Sequence, residues 1–524
     1  MKFLKKILCL SLTLVLATSI FILSQNTIIS EAAETVTITG ALIQGENVVV
    51  TTTGAVASAD GLYHLYAQDP NQGGTVGIDV AQAQAARVAT FTFPLNKNSA
   101  DSMLFKKFTV VVTTAGGAQA VSNSMYITNP EACATKALPR MDRGKKGLVA
   151  STEAPIMYQN NIKALGCNQV TLNIPLSTIS NGRSVFKYNG KEYHFDSAFL
   201  GNFDSGVRRW NSEGAQVTVI LLVDKTADAN FINPYSIEGI TNPQANFLSF
   251  NAATTTGCEY CAALGAFMAQ HFSGGVHGQV DNFIIGNEVN AWSQWNYMNA
   301  GSLQNFTKQY ADAFRLIYNG IKSENANANV YCCTDQQWGR AAASYFYGGR
   351  EFLSCFNSYL KSEGNIDWRL ATHAYNVPLY EVHNWTPNGN LKHSQSSPYI
   401  SVQNIDVVTD FLCQKDFLSP TGQVRSVKLS EQGFTSHTGE NEQAVAITYA
   451  ILVANNNRFI DGIIISREKD DYGECTQGLQ MGLMDLSNRH KTAWDYYANA
   501  GDPTFTAAAS QLAGVDLNTL ITPR

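Results

Sequence analysis

Eight short apolar runs, spaced so that helical patterns fit between them, occupy the chain from about residue 147 to residue 466. That alternation limits the possible folds more than any other feature. The runs are Gly147 to Ala150, Gln169 to Ile174, Val217 to Val223, Asn282 to Gly286, Val330 to Thr334, Trp368 to Ala374, Val427 to Ser430 and Asp461 to Ser466. Phe306, Tyr310, Phe314, Ile317 and Ile321 recur at three- and four-residue steps and so form one apolar helical stripe. Glu442 to Ala454 is a second helical segment, rich in alanine and apolar residues. Strands that alternate with helices form parallel sheets, and eight of them close into an α/β fold of the (β/α)8 or TIM-barrel type, expected over 140–515. An open doubly wound sheet is the rival, but the glycine-rich phosphate loop it would carry after its first strand is missing.

The preceding stretch, 34–130, reads differently. Val36–Thr39, Val48–Thr52, Leu62–Tyr66, Ala89–Phe93 and Phe108–Val112 are β-branched and aromatic runs punctuated by Gly, Asn, Asp and Pro. A small Ig-like β-sandwich is their simplest closure, serving as spacer or sugar-binding module. Ahead of it, Lys2, Lys5 and Lys6 precede an uncharged apolar run from Ile7 to Leu23 and the tripeptide Ser30-Glu31-Ala32. This is the layout of a secretory signal peptide, expected over 1–32, and it predicts a secreted protein. No later segment is apolar enough to span a membrane, so no integral membrane segment is expected after signal cleavage.

Composition narrows the partners. Charged residues are 15% of the chain and the net charge is −6. Nucleic acid is not expected as a partner, because a phosphate-binding surface needs a basic stripe. Nine cysteines lie outside the leader, an odd number that cannot all pair within one chain. Cys258-Glu-Tyr-Cys261 has the spacing of half a zinc site, but no second half follows, so buried thiols or an isolated disulfide are expected in its place. Neither a metal nor a cofactor is expected.

The chemistry falls at the strand ends. Asn287 and Glu288 follow the fourth run, and Glu431 lies at the end of the seventh. A carboxylic acid directly after a buried strand is a poor core residue. Two of them suggest glycoside hydrolysis, which needs one carboxyl as acid and a second as nucleophile or base. His373-Ala374-Tyr375 closes the sixth run, Asn173 the second, Asp224 follows the third, and Arg467 and Glu468 follow the eighth. In a barrel all of these reach one face. Trp292 and Trp295 lie just beyond Glu288, Trp338 beyond the fifth run and Trp385 beyond the sixth. Their rings suit stacking on the apolar faces of sugars, or packing beneath the loops. Asp470, Asp471 and Glu474 read as a solvated acidic loop before a calcium site.

With these residues in place the chain resembles the retaining glycoside hydrolases whose catalytic glutamates stand on strands four and seven, often called clan A. The resemblance rests on Asn287-Glu288, Glu431 and His373-x-Tyr375 and covers most of the barrel, not the N-terminal region. It implies Glu288 as acid/base and Glu431 as nucleophile. Independently of the resemblance, Tyr375 suits a donor to the nucleophile, Asn287 a bond to a sugar hydroxyl, and His373 a bond to sugar or to the acid. The arginine on strand two, histidine near strand three and tryptophan on strand eight that are usual in the cellulase-like branch are absent, which leaves the sugar open. A barrel that binds carbohydrate without turnover, and a transglycosidase using the same two glutamates, are the alternatives.

Overall fold

The computed structural model describes residues 35–150, 161–180, 182, 184–195, 197–342 and 344–524. The expected leader, 1–32, lies outside the described residues. No described helix is long and apolar enough to cross a membrane.

Eight parallel strands close into a barrel in strict chain order: Lys146–Val149, Gln169–Pro175, Gln216–Leu222, Asn282–Ile285, Asn329–Thr334, Trp368–Thr372, Val427–Gln432 and Ile460–Ile465. Closure is made where Ile464 pairs with Gly147. Every run expected to be a strand is one. Strands covered on both faces tolerate continuous apolar sequence, and Gln216–Leu222, Asn282–Ile285 and Asn329–Thr334 are buried at every position. Ile220, Leu222, Ile284, Tyr331, Cys333 and Ala371 fill the interior as a cluster of their own. Nearer the amino ends of the strands the interior is polar. Buried Lys428 donates to Gln169 Oε1 at 2.6 Å and pairs with Asp461 Oδ1 at 3.1 Å.

Around the barrel, helix Leu303–Glu324 carries the predicted stripe, with Phe306, Tyr310, Phe314, Ile317 and Ile321 all fully buried. It lies against helix Thr255–His271 with almost no side chain between them. A Cβ on Gly265 would sit 2.4 Å from the Ile317 carbonyl oxygen, and one on Gly320 would sit 2.6 Å from that of Ala262.

The N-terminal region forms two antiparallel sheets. One holds Thr37–Gln44, Asn47–Thr53 and Val88–Pro94; the other holds Ile78–Gln84, Leu62–Gln68, Lys107–Thr114 and Gly117–Ala120, with Met125–Tyr126 added on Lys107–Thr114. Phe93 meets Phe108 edge-on at 5.2 Å between the sheets, as a sandwich requires. Ile78–Gln84, Gly117–Ala120 and Met125–Tyr126 lie outside the five strands the sequence indicated. Ile78–Gln84 is an edge strand with no buried position, so the inward alternation that marks a strand is absent from its sequence. All nine described cysteines are free thiols, including Cys258 and Cys261.

Candidate active site

The fourth strand ends in a turn built for its cargo. Gly286 takes φ +77°, and Glu288 itself takes φ +39°. A non-glycine residue in that region costs on the order of 1–2 kcal/mol and persists only where neighbours enforce it. They do so through the Val289 N–H, which donates to the Cys333 carbonyl at 2.8 Å, and through Asn290. Asn290 and Asp335 clamp each other, Asn290 Nδ2 donating to Asp335 Oδ1 at 2.6 Å and the Asp335 N–H donating to Asn290 Oδ1 at 3.0 Å.

Two side chains from the end of the sixth strand join the two glutamates. His373 Nδ1 bonds Glu288 Oε1 at 2.8 Å, and its Nε2 lies 3.8 Å from Glu431 Oε2. The Tyr375 hydroxyl donates to Glu431 Oε1 at 2.6 Å. The Glu288 side chain is 12% exposed and that of Glu431 30%, so the second carboxylate is the more open to a ligand. Burial works against a charged His373, but the Cys333 sulfur and the Glu431 and Glu288 carboxylates outweigh it and hold the imidazole well above its ordinary range. Burial, then the Glu431 charge, pushes the Tyr375 phenol well up, which keeps it a proton donor to the carboxylate.

Glu288 and Trp295 line an open cleft of about 270 Å³ together with Asp335, Gln336, Gln337, Tyr345 and Phe346. Asp335 is buried, and burial together with the Glu288 charge raises its carboxyl to about 8. Glu468, after the eighth strand, is raised to about 7 by burial, with an opposing bond from Asn161 Nδ2 at 2.7 Å.

The other residues read from the sequence divide. Asn287 is buried beside Glu288. Asn173 is the one exposed position of the second strand, and its register partner Ile220 belongs to the interior cluster, so it faces the barrel's open end. Trp292 is half-buried against Tyr297 and Tyr347. Of the two uses open to Trp338, stacking on a sugar and packing beneath the loops, the structure shows the second: it is 1% exposed and packs edge-on against Phe411, inside the core. Trp385 is likewise buried. Asp224 has both oxygens engaged, by the Ser177 N–H at 2.8 Å and the Thr226 hydroxyl at 2.7 Å, and so ties two loops together. Arg467 pairs with Glu474 through two nitrogens, and it also feels the Glu431 charge. The acidic loop is distributed among separate partners: Asp470 with Lys491, Asp471 capping the helix Tyr472–Cys475, and Glu474 with Arg467.

The closed parallel barrel of eight strands makes this a (β/α)8-barrel protein. The chain belongs to the family described as a family of unknown function, DUF5722, whose model matches residues 139–516. No curated protein matches the sequence. Among solved structures, the chain is similar to a hyperthermophilic β-glucosidase from Pyrococcus furiosus (TM-score 0.44, 13% identity, 71% of this chain and 88% of that one). It is similar also to the GH53 catalytic domain of Ignisphaera aggregans (0.42, 14%, 70% and 97%). A third is GH5_18 from Bifidobacterium longum subsp. longum (0.44, 11%, 68% and 78%). Likenesses at these scores carry no inference about activity.

Proposed function

We propose that this protein is an exported glycoside hydrolase that cleaves O-glycosidic bonds of a poly- or oligosaccharide with retention, using Glu431 as nucleophile and Glu288 as acid/base. One observation carries the reading: His373 and Tyr375, from a single strand end, bond the two glutamates that end strands four and seven. Tyr375 holds Glu431 in one rotamer and leaves its second oxygen for the anomeric carbon. In the first step that oxygen forms the glycosyl ester while Glu288 gives its proton to the departing oxygen. In the second, Glu288 takes a proton from water, which attacks the ester. In this reading Asn287 and Asn173 bond sugar hydroxyls and Trp295 stacks on a ring. Export rests on the leader pattern alone.

A panel of 2,4-dinitrophenyl and 4-nitrophenyl glycosides tests the reading. We expect turnover of at least one, a fall of about 10³-fold or more in kcat for Glu431→Gln, and recovery of Glu288→Ala by azide on the dinitrophenyl substrate. Product of retained anomeric configuration by NMR would complete it. Full activity in either variant overturns the residue roles, and ring binding without release on every glycan tried favours a non-catalytic barrel.

A further inference from the structure

Away from the glutamates, one carboxylate holds two imidazoles. Asp204, midway along helix Ser197–Ser212, bonds His271 Nε2 through Oδ1 at 2.8 Å and His277 Nδ1 through Oδ2 at 2.5 Å. His271 is the last residue of helix Thr255–His271, and His277 ends the short turn Gly275–His277. Both elements lead into the fourth strand, so the cluster lies towards the amino ends of the strands, opposite the cleft.

We propose that Asp204, His271 and His277 bind one divalent transition-metal ion of the zinc class. The three donor atoms lie within 4.8 Å of one another, and among the described residues no other group of three His, Cys, Asp or Glu side chains converges in this way. The imidazole rings lie 4.1 Å apart, and His271 Nε2 and His277 Nδ1 both reach the one Asp204 carboxylate, at 2.8 and 2.5 Å. Bonds of about 2.0–2.1 Å at a tetrahedral centre separate donors by roughly 3.3 Å. Reaching that asks the two histidine–carboxylate contacts, at 2.8 and 2.5 Å, to open by roughly half to one ångström, and the turn that carries His277 is rich in glycine. Gly274, Gly275 and Gly278 around His277 all have positive φ, and a Cβ on Gly274 or Gly275 would meet nothing. Two nitrogens and one oxygen suit zinc, nickel or copper and not the all-oxygen shells of calcium or magnesium. The His277 side chain is 41% exposed while His271 is 3% exposed. An ion held by the buried histidine and carboxylate therefore keeps an open side, where water would complete four-coordination. Such an ion fastens two barrel helices to a glycine-rich turn whose backbone is otherwise costly to order. The inference does not depend on the glycosidase reading.

Chelator-stripped full-length protein, titrated with zinc chloride by calorimetry and with cobalt(II) followed by visible absorption, provides the test. Wild type should bind one zinc per chain with micromolar or tighter Kd, show a cobalt band of four-coordinate intensity, and melt higher with zinc than without. His277→Gln, at a half-exposed position, should melt with metal-free wild type yet bind zinc at least tenfold more weakly and lose the zinc-induced rise. Asp204→Asn should weaken binding likewise. Absence of stoichiometric binding, or binding unchanged in both variants, overturns the site and leaves a hydrogen-bonded Asp–His pair.

Discussion

Asp335 is a buried acid one residue beyond the fifth strand, held by donors from Asn290 and the Gln337 N–H. Those bonds favour the carboxylate, yet burial and the neighbouring Glu288 charge dominate and raise the carboxyl from 3.8 to about 8. The sign for stability follows. Below pH 3.8 folded and unfolded chains are both protonated here; above it the unfolded chain ionises first, and the folded state loses stability until its own carboxyl ionises near pH 8. Asparagine keeps an acceptor for Asn290 and cannot ionise. Asp335→Asn should therefore match wild type near pH 4 and gain a melting advantage of a few degrees that grows between pH 4 and pH 8, measured by circular dichroism. An advantage that does not vary with pH would contradict the assignment. Residues of this kind also show what the sequence discloses. Glu288, Glu431, His373 and Tyr375 were legible because a polar side chain at the end of an apolar run has few structural uses. Thr334-Asp335 obeys the same rule at the fifth run, where the acid directly follows the apolar residues. Trp338 was misleading because a loop tryptophan looks alike in sequence whether it faces a ligand or, as here, Phe411. Asp204 and His277 carry no sequence signal, since only tertiary packing brings them together.

At the scale of elements, strands and helices with a strong period were readable almost to the residue. The stripe from Phe306 to Ile321 became helix Leu303–Glu324, and Glu442 to Ala454 became helix Glu440–Asn455. Helix Ser197–Ser212 and the exposed strand Ile78–Gln84 were not read, the latter for want of any buried face. How elements pack is a separate matter, and glycines record it. In a helix, glycine to alanine ordinarily gains about 1 kcal/mol. Gly201 has open space around it and should follow that rule. Gly320 should reverse it, because its new Cβ would meet the Ala262 carbonyl at 2.6 Å and the Ala266 nitrogen at 2.9 Å, both backbone atoms that cannot turn aside. Urea unfolding should show Gly201→Ala stabilised and Gly320→Ala destabilised by about 1–3 kcal/mol. Equal effects at the two sites would mean that helices Thr255–His271 and Leu303–Glu324 have slack between them.

For the molecule as a whole, the question is whether the sandwich is a passenger or part of the barrel's stability. Its contacts are of the buried, polar kind that water cannot replace cheaply. The Arg315 guanidinium, on the barrel helix, is buried beneath the Tyr126 ring at 4.9 Å and donates to the Leu360 and Gly364 carbonyls. Asn319 Nδ2 donates to the Leu104 carbonyl at 3.2 Å, the Tyr126 N–H to that of Glu363 at 2.9 Å, and Lys97 Nζ to that of Ser323 at 2.7 Å. Removing Tyr126 would leave a buried cation without its cover and a cavity of aromatic size, a loss of about 3–5 kcal/mol. If the two parts unfold together, that loss falls on both. Calorimetry of the full chain should then show one transition, and Tyr126→Ala should move all of it downward. Two transitions, with the barrel's unmoved by the substitution, would make the sandwich an independent module.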